Sequence, residues 1–169
     1  MSFQFSADKP YPEIQIEEQN KQYACAMLSN VGDCSSEMSA VSMYFYNSVI
    51  AKDQYPEIAQ CFHKISVVEM HHLHIFARIA WLLGADPRLW CCSRGRTNYW
   101  SASSNPYTGH ILTMLENAIY GEQETIEKYQ MQMEYIKDEN IVANLLRIIE
   151  DEKIHIEIFH ELYGMISER

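Results

Sequence analysis

Two Glu-x-x-His pairs, Glu69-Met70-His71-His72 and Glu152-Lys153-Ile154-His155, are the residues best suited to chemistry. Residues i and i+3 share a helix face, so each pair aims a carboxylate and an imidazole at one point. Two such helices face to face bring two carboxylates and two imidazoles to a common centre. One further Glu from each of two more helices completes the donor set of a dinuclear carboxylate metal site inside a four-helix bundle.

The surrounding patterns place both pairs on core-facing seams. Ile58, Phe62, Ile65, Glu69, His72, Phe76, Ile79 and Leu83 recur at alternating spacings of four and three, as do Ile141, Leu145, Ile148, Glu152, His155, Phe159 and Leu162. These are apolar stripes of bundle helices. Their only polar members are the Glu and the His, in adjacent layers. A charge in a dry core is unfavourable unless paired or metal-bound. The alternative is a pair of buried Glu–His hydrogen bonds at matching depth.

Two other segments supply one candidate each. Between Cys34 and Ala51, Glu37 shares a face with Ala40 or Val41, Tyr44 and Ser48. An acidic residue in a first helical turn is also favoured by the helix dipole alone. From about Tyr107 to Lys137 the stripe runs Ile111, Leu115, Ala118, Glu122, Thr125, Tyr129, Met133, Ile136, with Glu116, Glu124 and Glu127 off it. Gly121, mid-helix, costs roughly 1 kcal/mol against Ala, which calls for a reason such as close approach of another backbone or a metal ligand. Glu37, Glu69, Glu122 and Glu152 carry four negative charges if ionised, which two divalent cations neutralise. Without metal the carboxylates crowd together and some hold protons, so metal is expected to stabilise the fold.

The elements that must hold these groups follow from composition and punctuation. A chain of 169 residues, 47% of them hydrophobic, suits one all-α domain with a single core. Residues 1–20 read as an irregular arm and 21–169 as the bundle domain, with a short helix over Lys21 to Asn30 before the turn at Gly32 and Asp33. Pro56 opens the second bundle helix, Pro87 follows its end and Pro106 precedes the third. The link from Gly84 to Asn105 is long and is expected to be the crossover of a four-helix bundle. Its Trp90, Tyr99 and Trp100 are expected to pack on the bundle or a second subunit. The short turn around Asp138 makes the third and fourth helices antiparallel neighbours. A net charge of −10 argues against nucleic acid and anionic membrane as partners, and no stretch approaches spanning length. Cys25, Cys34, Cys61, Cys91 and Cys92 are odd in number and scattered, as expected of free thiols in the cytoplasm. Cys91-Cys92 leaves a vicinal redox pair open.

The ordered motifs resemble the ferritin-like superfamily, and most closely the di-iron domain of rubrerythrins. Glu37 with Ala40 three later and Tyr44 seven later, Gly121-Glu122, and Asp151-Glu152-x-x-His155 carry the likeness over roughly residues 20 to 165. Gly84-Ala85-Asp86-Pro87-Arg88 is similar to manganese catalases and related spore-coat proteins. The resemblance implies a ferritin-like four-helix bundle binding two Fe or two Mn ions through Glu37, Glu69, His72, Glu122, Glu152 and His155, two of the Glu bridging. It implies that Asp151 holds the His72 ring from behind, against the plainer reading of a surface acid. Tyr44 and Tyr129 either hydrogen-bond ligand carboxylates or are simply core aromatics, and no catalytic residue beyond the ligands stands out. His71 and His74 point off the seam. Thr125 stands where rubrerythrins carry an extra Glu, no Cys-x-x-Cys is present, and Val68 replaces an Asp of some relatives, so His155 is expected to lack a partner like that of His72.

The activity implied is reduction or disproportionation of peroxide or O₂ in oxidative-stress defence by a homodimer. Iron calls for a separate rubredoxin-type electron donor; manganese, as in a catalase, calls for none. Iron storage and a spore-coat structural role are the competing expectations, the first needing a large hollow assembly and the second a metallated but inactive protein.

Overall fold

The computed structural model describes residues 3–93 and 96–168. Among the described residues five α-helices form in the order α1 (Lys21–Gly32), α2 (Glu37–Ile50), α3 (Pro56–Leu82), α4 (Ile111–Tyr135) and α5 (Glu139–Ser167). A two-stranded antiparallel hairpin, β1 (Trp90–Ser93) and β2 (Arg96–Tyr99), lies between α3 and α4. Local chemistry sets the helix starts. The Asn20 side chain accepts the Gln22 and Tyr23 amides ahead of α1, and the Asp138 side chain accepts those of Asn140 and Ile141 ahead of α5. Pro56 takes the first position of α3, where its missing N–H costs nothing.

The helix α2 packs on α3 and α4 on α5, with α3 against α5 closing the bundle and α1 outside on α3. The apolar seams form two core clusters. One holds Ile75, Phe76, Ile79, Leu83, Tyr129, Ile136, Ile141, Leu145 and Ile148, with Met27 and Val31 of α1. The other holds Tyr44, Phe62, Ile65, Leu115, Ala118, Phe159 and Leu162. Each fully buried large apolar side chain in these clusters contributes roughly 1.5–3 kcal/mol. Every member of the α3 and α5 seams is buried. In the stripe of α4, Thr125 and Met133 are only half-buried, while Gln132 is buried and pairs with Asn30 of α1 through two hydrogen bonds of 2.8 Å.

The long link departs from expectation in two ways. It carries the hairpin, and Tyr99 is 63% exposed rather than packed. Tyr99 lies on the outer side, its ring 5.4 Å from that of Trp90, and accepts a hydrogen bond from Arg88. Trp100 does reach the bundle, donating to Ser39 Oγ at 2.9 Å. Among the described residues no helix is long and apolar enough to cross a membrane.

Two glycines make opposite predictions. A Cβ on Gly32 would fall 2.3 Å from the backbone nitrogen of Trp90, so β1 crosses α1 where only glycine fits. A Cβ on Gly121 would meet nothing within 4 Å. Gly121 is therefore not explained by the close approach the sequence suggested. Gly32→Ala is expected to destabilise the fold by ~1–3 kcal/mol through overpacking. Gly121→Ala is expected to stabilise it by up to about 1 kcal/mol through helix propensity. Urea unfolding of both variants checks the pair, and equal signs would contradict the packing described.

Candidate metal centre

The layer between the two apolar clusters is built from four helices. Glu37 is the first residue of α2, Glu69 and His72 lie one turn apart on α3, Glu122 lies mid-way along α4, and Glu152 and His155 lie one turn apart on α5. None of the six is more than 2% exposed. His72 Nδ1 lies 3.2 Å from Glu69 Oε2, 3.2 Å from Glu152 Oε1 and 3.8 Å from Glu37 Oε2. His155 Nδ1 lies 2.9 Å from Glu69 Oε1, 3.0 Å from Glu152 Oε2 and 3.7 Å from Glu122 Oε1. Two donor sets result, Glu37, Glu69, His72, Glu152 and Glu69, Glu122, Glu152, His155, each with its donor atoms within 4.8 Å of one another. Glu69 and Glu152 are common to both, the position a bridging carboxylate occupies.

Behind this layer each imidazole has a partner on its other nitrogen. His72 Nε2 lies 3.0 Å from Asp151 Oδ2. His155 Nε2 lies 3.0 Å from the backbone carbonyl oxygen of Phe5. A carboxylate and a carbonyl both accept, so Nε2 carries a proton in each ring, and Nδ1 faces the centre, where it becomes a donor to metal once its own proton is lost. His155 thus has a partner, though not a carboxylate like that of His72. Val68 supplies none, but the arm does, through its main chain. Asp151 is not a surface acid. It is fully buried and accepts from the Ala7 amide at 2.7 Å, the Tyr11 hydroxyl at 2.5 Å and Arg147 Nη1 at 2.6 Å. The two core tyrosines cross over. Tyr44 of α2 donates to Glu122 Oε1 on α4 at 2.5 Å, and Tyr129 of α4 donates to Glu37 Oε1 on α2. His71 and His74 face outward.

Sequence reasoning missed Phe5, Ala7, Tyr11 and Arg147. Arg147 left a signal, since it sits one turn before Asp151 in the apolar run of α5. The arm left none, because it has no periodicity to read.

The sequence profile of the Rubrerythrin family matches residues 33–163, which span all six donors. The chain belongs to the rubrerythrin family. A curated relative from Clostridium acetobutylicum, described as "Probable manganese catalase", is 25% identical, with the match covering 92% of this chain and 76% of the relative. The crystal structure of KatB, a manganese catalase from Anabaena, superposes with a TM-score of 0.82 at 21% identity, covering 99% of this chain and 81% of that one. Bacterioferritin from Rhodobacter capsulatus superposes with a TM-score of 0.70 at 18% identity, covering 89% of each chain. These superpositions establish the ferritin-like fold.

The electrostatics of this rubrerythrin-family centre follow from burial and crowding. Burial, then the neighbouring Glu69 and Glu152, push the Glu37 carboxyl well above the usual range. The same causes push Glu122 up to about 8. Burial acts the same way on Glu69, but His155 and His72 outweigh it and hold Glu69 below the usual range. Burial alone would lower both imidazoles; the carboxylates around them outweigh it and raise both well above their ordinary value. Glu69 Oε1 and Glu152 Oε1 are buried and make no hydrogen bond, although each lies close to an imidazole nitrogen of the opposite helix. Oxygens left unpaired in a dry layer, beside two imidazole nitrogens, fit divalent cations with affinity for oxygen and nitrogen donors, iron and manganese included.

A pH dependence follows. Glu37, Glu122, His72 and His155 all have raised values in the folded, metal-free chain. Their contribution to stability is present below the ordinary values and is lost as pH rises through the folded ones, for Glu122 about 8. Metal must displace those protons. Metal-free protein is therefore expected to lose stability as pH rises from the ordinary carboxylate range to about 8. Metal loading is expected to release protons and to tighten as pH rises. Titration calorimetry in buffers of different ionisation heat reads this directly. Loading without proton release would contradict the protonated cluster.

Proposed function

We propose that this chain is a dinuclear iron or manganese oxidoreductase that reduces or disproportionates peroxide in oxidative-stress defence. Glu37, Glu69, His72, Glu122, Glu152 and His155 would hold the two ions, Glu69 and Glu152 belonging to both donor sets. The observation that carries the reading is the convergence of these six buried donors, two of whose carboxylate oxygens have no other partner. When bound, the metal pair supplies two electrons by cycling between M(II)₂ and M(III)₂.

The chain's own residues do the rest. Tyr44 and Tyr129 fix the carboxylates of Glu122 and Glu37. Burial first, then the adjacent carboxylates, raise both phenols well above their usual range, so they remain donors. Asp151 and the Phe5 carbonyl hold the protons on Nε2 of His72 and His155, which keeps both Nδ1 atoms available. The two apolar clusters exclude bulk water from the layer. The manganese-catalase branch of this reading draws support from the relative in Clostridium acetobutylicum. In the iron branch a separate rubredoxin-type protein is the donor. The same reading sets the chain in the cytoplasm with its five thiols free. It works as a homodimer, a view supported by the exposed apolar Phe45 and Val49 of α2 and Val67 and Met70 of α3.

The test is elemental analysis of protein purified at low oxygen, with peroxide consumption assayed on the same sample. About two Mn per chain with donor-independent O₂ release identifies the catalase branch. About two Fe per chain with turnover only after adding a reductant and a rubredoxin identifies the peroxidase branch. A chain that binds neither metal, or binds it and leaves peroxide untouched, overturns the reading.

A further inference from the structure

The bundle is unevenly closed. Its helices pair tightly as α2 with α3 and α4 with α5, whereas α2 and α4 barely touch. Between α2 and α4 lies a cavity of about 440 Å³, walled by Ala40 and Met43 on one side and Gly121 and Thr125 on the other, with Tyr44 and Glu122 among its lining. Pro106 and Asn105 of the long connection border it. Its innermost groups are the Tyr44–Glu122 hydrogen bond, so the cavity runs up to a carboxylate of the proposed metal centre.

Three positions keep it open. Gly121 presents no side chain, and a Cβ there would project into open space. Thr125, one turn on, is half-buried and short, and Ala40 faces them from α2. A glycine in the middle of a long helix is unfavourable for the helix itself, and neither a tight contact nor a turn explains this one. A water molecule occupies about 30 Å³ of liquid volume, so the cavity is an order of magnitude larger than hydrogen peroxide requires. Ala40, Met43 and Pro106 give it apolar walls.

We propose that this cavity is the route by which hydroperoxides reach the centre, and that Gly121 and Thr125 make it wide enough to admit an alkyl hydroperoxide, ROOH. The proposal rests on the peroxide reading above for its chemistry. The O–O bond of ROOH breaks, and two electrons and two protons convert it to ROH and water. The electrons would come from an added reductant of the rubredoxin class, through the metal pair that the six donors would hold. Thr125 and Gly121 are specificity-determining positions in this scheme, not catalytic residues.

The experiment compares wild type with Gly121→Leu and Thr125→Leu, using hydrogen peroxide and tert-butyl hydroperoxide. Its first readout is independent of turnover: peptide mass spectrometry of Met43 sulfoxide after exposure of the purified protein to tert-butyl hydroperoxide. Here an oxygen passes from ROOH to the sulfur and ROH leaves. The exposed Met131 serves as the internal reference. The second readout is kcat/KM for each oxidant, with metal content measured alongside. Filling the cavity is expected to slow Met43 oxidation about 10-fold relative to Met131, and to lower kcat/KM about 10-fold or more for tert-butyl hydroperoxide but only a few-fold for hydrogen peroxide. Unchanged Met43 oxidation in both variants, or equal losses for the two oxidants at full metal content, overturns the proposal. If wild type consumes no peroxide yet Gly121→Leu still shields Met43, the functional reading falls while the cavity stands as the hydroperoxide entrance.

Discussion

Replacing Glu152 with alanine is expected to abolish uptake of both metal ions, together with peroxide consumption. Glu152 is one of only two carboxylates common to both donor sets among the described residues, and its two oxygens lie 3.2 Å from His72 Nδ1 and 3.0 Å from His155 Nδ1. Loss of an outer partner of a metal ligand typically weakens metal binding ~10–100-fold, and loss of a shared ligand must exceed that at two ions at once. Glu37→Ala removes a donor from one set only and is expected to leave the other ion bound. In the metal-free protein the substitution removes a carboxylate that helps raise both His72 and His155. Chelated Glu152→Ala should therefore melt no higher than chelated wild type, while loaded wild type melts well above both. Metal content by elemental analysis and paired thermal melts check all three statements. A Glu152→Ala protein still carrying about two ions per chain would sink the bridging assignment.

The second large effect is expected outside the donor set. Arg147 is 2% exposed, and its guanidinium ties the N-terminal arm to α5. Nη1 donates to Asp151 Oδ1 at 2.6 Å, Nε to the Lys9 carbonyl at 2.6 Å and Nη2 to the Ala7 carbonyl at 2.8 Å, while the group lies 4.2 Å over the Tyr11 ring. Arg147→Ala leaves a buried carboxylate without its cation and two arm carbonyls without donors. Breaking one half of a buried ion pair costs about 3–5 kcal/mol. Lysine should not rescue it, because one ammonium cannot reproduce a planar fork that donates in three directions. Burial alone would raise Asp151, but hydrogen bonds from His72, Tyr11, the Ala7 amide and Arg147 hold it down at about 2. Its contribution is therefore present above the ordinary carboxylate range and lost as pH falls toward about 2. Urea unfolding gives the magnitude, and limited proteolysis of residues 3–20 reports whether the arm has come loose. A loss under about 1 kcal/mol with the arm still protected would show that the other contacts dock it alone.

The two predictions also mark where the sequence could be read and where it could not. Glu69, His72, Glu152 and His155 stand out because each interrupts an otherwise apolar stripe, and a stripe is a property of local spacing. Glu122 was distinguishable from Glu116, Glu124 and Glu127 for the same reason. Glu37 was harder, since as the first residue of α2 it has no preceding turn to set a seam. The crossed tyrosine bonds were not legible: Tyr44 shares a face with Glu37, but the interhelical gap puts its hydroxyl on Glu122. The hairpin at Trp90–Ser93 and Arg96–Tyr99 escaped because Trp, Arg, Ser and Cys in a long link give no clear alternation, and α1 fixes its place by offering bare backbone at Gly32. The role of residues 3–11 escaped for a different reason. Their main chain does much of the work, and backbone atoms are the same whatever the side chains are.

That last feature bears on how the molecule is made. The arm is synthesised long before its partners on α5: Ala7 and Asp151 are 144 residues apart, and Phe5 and His155 are 150 apart. Contacts so distant in the chain form late, since closing a long loop costs entropy before any bond repays it. During translation the Glu69–His72 half of the centre therefore emerges with no ring orientation imposed on it and no opposing carboxylates. A nascent chain cannot trap a metal ion in a finished coordination sphere. Metal ions would be captured only after α5 has left the ribosome, when the arm folds back over it.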